Sequence, residues 1–443
     1  MRKLSSIQLL SAGFAVIILT GALVLCLPVC TTSGESTPFI DCLFTSASAT
    51  CVTGLSPMDI YTHWNFLGQL IILLLIQIGG LGFMGLSMAL LYFSGHKISI
   101  FQRTTLMESM GSLTIGTVTK VLRTMTLGTL IFEGAGAIAL AFRFIPLFGA
   151  AQGLWFSIFH AVSAFCNAGF DLMGTFTPGT SLQHFSKDPL VLLTTTILII
   201  TGGIGFIVWR DFIDHRFRFR TYTLHSKIML TCTAALVISG CLLFLFLESN
   251  TTLRSLSLAE KWMNALFLSV TPRTAGFAIS DYSDFSPAGR VLTMCLMVIG
   301  AGPGSTGGGI KVTTFTVVLL SIVSQIFRSR DLSLFQRRLP EEVQQRAFSS
   351  ISFYLIASIF CTFLLLLANP LLESEYVLFE VLSALGTVGL SMGITAELGV
   401  FSKAILIALM YLGRLGSIAV IMVISSHRPA HRLRYPKEPI LIG

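Results

Sequence analysis

The sequence predicts an all-α polytopic membrane protein. Three observations carry that prediction. Charged residues make up only 11% of the 443 residues while 53% are hydrophobic; mean hydropathy is +0.81; and apolar runs of bilayer length recur along the chain. A soluble domain carries roughly 25% charged residues, so this chain has too few to coat a water-facing surface. The net charge of +8 does not point to nucleic acid. The basic residues gather in short loops between apolar runs, as the positive-inside rule produces.

Runs matching the ~20 residues that cross a bilayer lie near 7–28, 66–93, 124–142, 189–209, 228–247, 289–325, 347–369 and 402–425. They predict eight spans. Residues 7–28 read as a retained first span, because a cleaved signal has an apolar core of about 7–15 residues and small residues before the cut. Four shorter segments, 38–50, 152–165, 259–272 and 375–385, fall between the spans. They are too short to cross and read as re-entrant helices. Each runs into a similar turn: "SATCVTGL" (48–55), "SAFCNAGF" (163–170), "VTPRTAGF" (270–277) and "SALGTVGL" (383–390). The glycines before the final Leu or Phe, Gly54, Gly169, Gly276 and Gly389, are 115, 107 and 113 residues apart. A near-constant period marks an internal repeat. The units are 1–95, 96–215, 216–330 and 331–443, each reading span, short helix, glycine turn, span.

Of the 29 Lys and Arg, 20 fall on one side of the predicted spans and seven on the other. This bias places both termini in the cytoplasm and the glycine turns on the opposite face. Four re-entrant segments around one axis suggest a pore, because irregular backbone survives at membrane depth only when buried or lining a wet cavity. Loops that follow short helices offer unpaired carbonyls. Pooled in a ring, these can replace the hydration shell of an alkali cation, aided by the negative C-terminal ends of the helices. The bland alternative is four ordinary small-residue turns, which their shared period argues against.

The runs "FTSASATCVTGL", "NAGF", "TPRTAGF", "GTVGLSMG", "IQIGGLGFMG" and "GAGPGSTGGGIKVTT" resemble the Trk/Ktr/HKT superfamily of K+ transport proteins over nearly the whole chain. The eight spans and the closing "RYPKEPILIG" look most like its Ktr-type membrane subunits. The resemblance implies four M1–P–M2 repeats around one pseudo-fourfold, K+-channel-like pore. It implies a K+ selectivity filter at Cys51, Val52, Thr53, Gly54; Cys166, Asn167, Ala168, Gly169; Arg273, Thr274, Ala275, Gly276; and Gly386, Thr387, Val388, Gly389. All four filter glycines are present, which in this family goes with K+ over Na+; Cys51 and Arg273 depart from a K+-channel filter. It further implies a homodimer in the bacterial cytoplasmic membrane. Its partner would be a KtrA-like cytosolic octameric ring that binds ATP or ADP, and Na+ would act as an activator.

"GAGPGSTGGGIK" (300–311) contains G-x-G-x-x-G at Gly302, Gly304 and Gly307. A dinucleotide fingerprint must follow a strand and open a helix in a βαβ unit. Here apolar runs lie on both sides, and the Walker A pattern does not fit. A breaker-rich loop inside a span reads as a constriction, or else as a helix kink. The resemblance implies the intramembrane gate: Gly302, Pro303, Gly304, Ser305, Thr306, Gly307, Gly308 and Gly309. Lys311, at membrane depth, is functional by default. The resemblance sets Arg414 near the loop; on residues alone it is equally a structural partner of a carbonyl or an acid.

Other features carry less. The nine cysteines show no C-x-x-C and no zinc spacing; Cys30 and Cys42 flank a possible outer loop, where a disulfide is conceivable but disfavoured. His160, taken as opening the second short helix, reads as a satisfied polar residue rather than a ligand. "RFRFR" (216–220) reads as a lipid-headgroup or partner contact. An alternating-access cation symporter remains the alternative, though it would more naturally show paired inverted repeats. A membrane enzyme would need a polar catalytic cluster, and none is found.

Overall fold

The computed structural model describes residues 6–82, 85, 118–328 and 332–416. In chain order its main helices are α1 (Ser6–Leu25), α2 (Phe39–Cys51), α3 (Phe66–Leu81), α4 (Val118–Phe148), α5 (Ala150–Phe165), α6 (Pro189–Ile204), α7 (Phe206–His215), α8 (Leu224–Glu248), α9 (Leu258–Val270), α10 (Pro287–Val298), α11 (Val312–Ile326), α12 (Glu341–Ala368), α13 (Ser374–Gly386) and α14 (Val400–Leu415). Helices α1, α4, α8 and α12 are long and apolar enough to cross a bilayer. Their outer faces stay apolar and open: Val16, Phe142, Phe246 and Ile356 are all more than half exposed. Water would penalise such faces, whereas lipid does not.

The four short segments are helices. α2, α9 and α13 have 13 residues and α5 has 16. At 1.5 Å per residue each is roughly 20–24 Å long, short of a ~30 Å hydrocarbon core. They sit inside the bundle and carry its buried polar side chains, among them Thr45, Ser48, His160, Ser163, Ser269, Glu380 and Ser383.

The second span departs from expectation in three units. The sequence predicts unbroken spans over 66–93, 189–209 and 402–425, and a span interrupted by a loop over 289–325. α3, α6 and α14 instead end after 16 residues each. The next residue is Gly82, Gly205 or Gly416, with φ of 76°, 101° and 81° and ψ of 135°, 144° and 147°. Only glycine holds that backbone at no steric cost, and an apolar run does not register such a break. After Gly205 the chain leaves at 91° as α7. In the third unit, residues 299–311 separate α10 from α11. A second departure is a two-stranded hairpin, Ser333–Leu334 against Arg337–Arg338, in a chain expected to be all helical. The boundary expected at 95/96 and the tail beyond 416 lie outside the described residues.

Each short helix also packs on the second span of the unit before it: α3 on α5, α6 on α9, α10 on α13, and α14 back on α2. The circle is therefore closed. Polar pins accompany these junctions. Trp155 Nε1 donates to Gln69 Oε1 at 2.8 Å, Asn264 Nδ2 donates to Ser186 O at 2.7 Å, Arg290 pairs with Glu375 at 3.0 Å, and Lys403 Nζ donates to Asp41 Oδ1 at 2.7 Å. The last ties the end of the chain to its beginning. Both side chains are nearly buried, at 10% and 14% exposure, and removing one partner of a buried pair costs about 3–5 kcal/mol. Lys403→Met is expected to lower the unfolding temperature in detergent. Adding Asp41→Leu should recover most of the loss, and a double variant as unstable as the single would refute the pairing.

The cysteines of the described residues are free thiols. Cys30 Sγ donates to Val24 O at 3.3 Å and Cys42 Sγ to Thr37 O at 3.7 Å, so neither awaits the other.

Candidate functional site: a glycine ring above a crossing loop

The four short helices point their C-termini at a common centre, where the four glycine turns meet. Each turn places two residues in left-handed backbone: Val52 and Gly54, Asn167 and Gly169, Thr274 and Gly276, Thr387 and Gly389. Three turns share one hydrogen-bond plan. The amides of Thr53, Ala168 and Val388 donate to the carbonyls of Ser48, Ser163 and Ser383, each at 2.8 Å. Serine hydroxyls reinforce them: Ser48 Oγ accepts from Gly54 N at 3.0 Å, Ser383 Oγ accepts from Gly389 N at 3.1 Å, and Ser163 Oγ donates to Phe170 O at 2.7 Å. The third turn is shifted by one residue, with Ala275 N donating to Thr271 O at 3.0 Å. Pro272 explains this, since it has no N–H to continue the helix, and α9 stops at Val270.

A methyl group added at each glycine would strike the carbonyl of the neighbouring turn. Gly54 would meet Ala168 O at 2.5 Å, Gly169 would meet Ala275 O at 2.7 Å, Gly276 would meet Val388 O at 2.5 Å, and Gly389 would meet Thr53 O at 2.1 Å. The order runs once round and closes on itself, so the turns form a ring. Glycine is required there both for φ and for the closeness of the next backbone. The hydroxyls of Thr53 and Thr387 are buried with no hydrogen-bond partner among the described residues.

The remaining residues of the turns serve different neighbours. Cys51 and Gly386 close α2 and α13. Cys166 Sγ faces Glu133 at 3.7 Å and Gln77 at 3.8 Å, behind the second turn. The Asn167 amide accepts from Thr274 Oγ1 at 3.3 Å once oriented to donate to Ala164 O and Ile199 O. Arg273 is 7% exposed and its Nε has no partner among the described residues. His160 lies in the last turns of α5 rather than at its start, and it is satisfied as expected. Its Nδ1 meets Phe156 O at 2.7 Å and its Nε2 accepts from Leu172 N at 3.3 Å.

The loop 302–309 crosses directly beneath the ring. Thr306 Oγ1 donates to Phe165 O at 3.1 Å, and Gly302 N donates to Gly203 O at 2.9 Å. Gly304 O accepts from Phe206 N at 2.9 Å, and Ser305 Oγ donates to Gly302 O at 2.6 Å. Pro303 O lies under Gly205. Methyl groups at Gly307 and Gly308 would lie 2.2 Å from Thr274 Oγ1 and 2.3 Å from Thr387 Oγ1, and one at Gly309 would lie 3.0 Å from Gly386 O. Two cations hold the loop. Lys311 Nζ donates to Gly307 O at 2.8 Å and Gly308 O at 3.3 Å. Arg414 donates to Thr306 O, to Gly79 O, and at 3.3 Å to Gly80 O. Arg414 thereby reaches the loop, with carbonyls rather than an acid as its partners. The loop touches the second, third and fourth units directly and the first through Arg414.

Sequence reading missed a further set of glycines. Gly79, Gly202, Gly300 and Gly413 each stand 13 residues after the first residue of α3, α6, α10 and α14. In three units they let the second span lie against the short helix: an added methyl would come within 2.1 Å of Thr50 O, 1.9 Å of Phe165 O and 2.1 Å of Leu385 O. In the third unit Gly300 faces the loop instead, at Gly308 O. The signal was present as "GGLG" (79–82), "GGIG" (202–205) and "GRLG" (413–416). Arg414 occupies a position where the other units have Gly80, Gly203 and Ala301. Gly202→Ala presses a side chain into backbone, which cannot move aside. It is expected to abolish the monodisperse purified protein, while Gly134→Ala, in helical backbone with open space around it, should leave yield unchanged. Equal yields would refute the close contact.

The model for the family TrkH, "Cation transport protein", matches residues 9–433. The chain belongs to the TrkH family of cation transport proteins. Among similar proteins is the potassium/sodium uptake protein NtpJ of Enterococcus hirae, 41% identical over 448 residues that cover 100% of this chain and 98% of that one. Another is the Ktr system potassium uptake protein B of Bacillus subtilis, 38% identical, with 98% and 96% covered. The crystal structure of the potassium transporter TrkH from Vibrio parahaemolyticus superposes with a TM-score of 0.75 over 96% of this chain and 85% of that one. At 19% identity it speaks for the fold alone. A TrkH-family chain is a multi-pass membrane transporter and not an enzyme.

Proposed function

We propose that this chain is the pore-forming subunit of a K+ uptake system, built as four M1–P–M2 repeats with the boundaries given above. Ions pass down their gradient through a filter made by the four turns at Gly54, Gly169, Gly276 and Gly389, and the 302–309 loop is the gate. The observation that carries this reading is the closed ring of four backbone turns, each held by its own short helix. Peptide carbonyls there are packed in a circle, and carbonyl circles replace water around alkali cations. The Thr387 hydroxyl, without a partner among the described residues and facing Gly308 of the loop, adds oxygen at the base of the ring. A broken span whose loop reaches all four units supports the gate. The names of the relatives support K+ as cargo and Na+ as a second cargo or activator.

Likeness to Ktr B subunits supports a KtrA-like cytosolic ring that binds ATP or ADP and acts on the gate. The homodimer, the octameric ring, the bacterial cytoplasmic membrane and cytoplasmic termini belong to the same proposal. The deciding experiment is K+ uptake by this chain, with and without such a ring, in cells lacking their own K+ transporters. No uptake in either case would overturn the function. Single-channel steps would favour the pore over an alternating-access symporter.

Orientation has its own test. Ser36 is exposed between α1 and α2, and Gln336 is exposed at the tip of the hairpin. In a background without reactive cysteines, Ser36→Cys is expected to react with an impermeant thiol reagent added outside, and Gln336→Cys only after the membrane is opened. The reverse pattern would invert the topology.

A further inference from the structure

One cavity belongs neither to the ring nor to the loop. A crevice of about 790 Å³ lies between α4, α6, α7 and α8, within the roughly 300–1,000 Å³ typical of ligand sites. Its walls are apolar, formed by Ile131, Phe132, Val208, Trp209 and Leu230 among others. Several of its residues face outward: Ile131 is 66% exposed and Ile213 is 56% exposed. An occupant would therefore enter sideways from hydrocarbon. One end is basic, with Lys120, Arg123 and Arg210. Arg210 is engaged by Asp214 at 2.5 Å. Lys120 and Arg123 are exposed, lie three residues apart on one face of α4, and have no ion pair among the described residues.

Depth fits a lipid as well. α4 has 31 residues, about 46 Å, against a hydrocarbon core of ~30 Å. A helix this long can place Lys120 and Arg123 at headgroup level, and Ile131, eight residues beyond Arg123, then lies ~12 Å deeper, in the acyl region. α7 turns off at 91°, as a helix lying along the interface does, and Trp209 sits at its shoulder, a residue that favours that level. We propose that this crevice binds one anionic phospholipid, its phosphate on Lys120 and Arg123 and an acyl chain in the apolar cleft. Basic pockets between spans hold such headgroups.

The crevice is one packing layer from the loop. The Trp209 ring stands 5.6 Å from that of Phe165, whose carbonyl accepts from Thr306. Phe206, the first residue of α7, donates to Gly304. A lipid in the cleft braces the bend on which the loop rests. This coupling rests on the gate reading above; the binding site does not.

The test compares protein reconstituted in phosphatidylglycerol and in phosphatidylcholine vesicles, extracted and examined by native mass spectrometry. Wild type is expected to retain one phosphatidylglycerol and not phosphatidylcholine. Lys120→Gln/Arg123→Gln, and separately Ile131→Trp, which fills the cleft and leaves the charges, should each cut retention at least tenfold. Arg337→Gln/Arg346→Gln, also basic and exposed but not part of the cleft's lining, should not. Equal retention of both lipids, retention unchanged in the cleft variants, or a protein partner found on the cleft would overturn the site. K+ flux in phosphatidylglycerol vesicles is expected to change at least threefold in the variants that lose the lipid; lost binding with unchanged flux would overturn the coupling. Absence of flux in wild type under every condition would instead refute the transport function and leave the lipid data to decide the site.

Discussion

Deleting residues 302–309 is expected to raise K+ flux by an order of magnitude or more and to remove most of its dependence on a cytosolic partner. The loop lies beneath the ring, tied to Phe165, Gly203 and Phe206 and held by Lys311 and Arg414. The cut ends are neighbours, because Gly300 N donates to Ile310 O at 2.9 Å, but Ile299 bridges Ile310 in parallel. Both ends therefore run the same way, and a short glycine linker in place of the loop must turn the chain back. Lys311→Ala and Arg414→Ala each release only part of the loop and should raise flux less. Each such bond, from a charged donor, contributes about 1.5–3 kcal/mol net, roughly tenfold or more in the open fraction. Glycine and serine suit the loop because they allow the backbone changes that swinging aside requires. A phosphate-binding loop makes the opposite prediction: loss of nucleotide binding by this chain, with no gain in flux. Unchanged or lower flux in a folded, monodisperse deletion variant would refute the gate.

Replacing any of Gly54, Gly169, Gly276 or Gly389 with serine is expected to lower the K+/Na+ permeability ratio, by about tenfold or ~1.4 kcal/mol of discrimination. The cause is the same in each case. The side chain must occupy a left-handed position, and its Cβ presses on a carbonyl of the next turn, at 2.1–2.7 Å. The ring yields, its oxygens spread, and Na+ can pass with part of its hydration shell retained. Gly389 has the tightest contact, against Thr53 O, and should give the largest loss. The third turn, with its shifted register around Pro272, should tolerate the change best. Four variants with the wild-type ratio would end the filter reading.

Local signals made much of this legible. The short segments read from hydropathy at 152–165 and 375–385 fall within two residues of α5 and α13, because helix length and apolar pattern are written residue by residue. The four turn glycines followed from their near-constant period, which needs no contact to be seen. Arg414 was legible only as an oddity, a charge in an apolar run. That it grips Thr306 and Gly79 depends on residues 108 and 335 positions away, and nothing local encodes that. The breaks after α3, α6 and α14 were missed because a window average treats Gly82, Gly205 and Gly416 as mildly apolar. Their effect lies in φ.

By itself, the sequence determined that the chain lives in a bilayer, that it repeats, and where each repeat turns. These follow from composition, run length and period, which are properties of the chain taken in order. Tertiary structure decided that the four turns close into one ring, that Lys403 joins Asp41 to seal it, that the 302–309 loop passes under all of it, and that a basic-ended cleft opens beside the bend. Those facts rest on packing between segments a hundred or more residues apart, where a glycine matters for the backbone it lets approach. Such a neighbour exists only once the whole bundle has assembled.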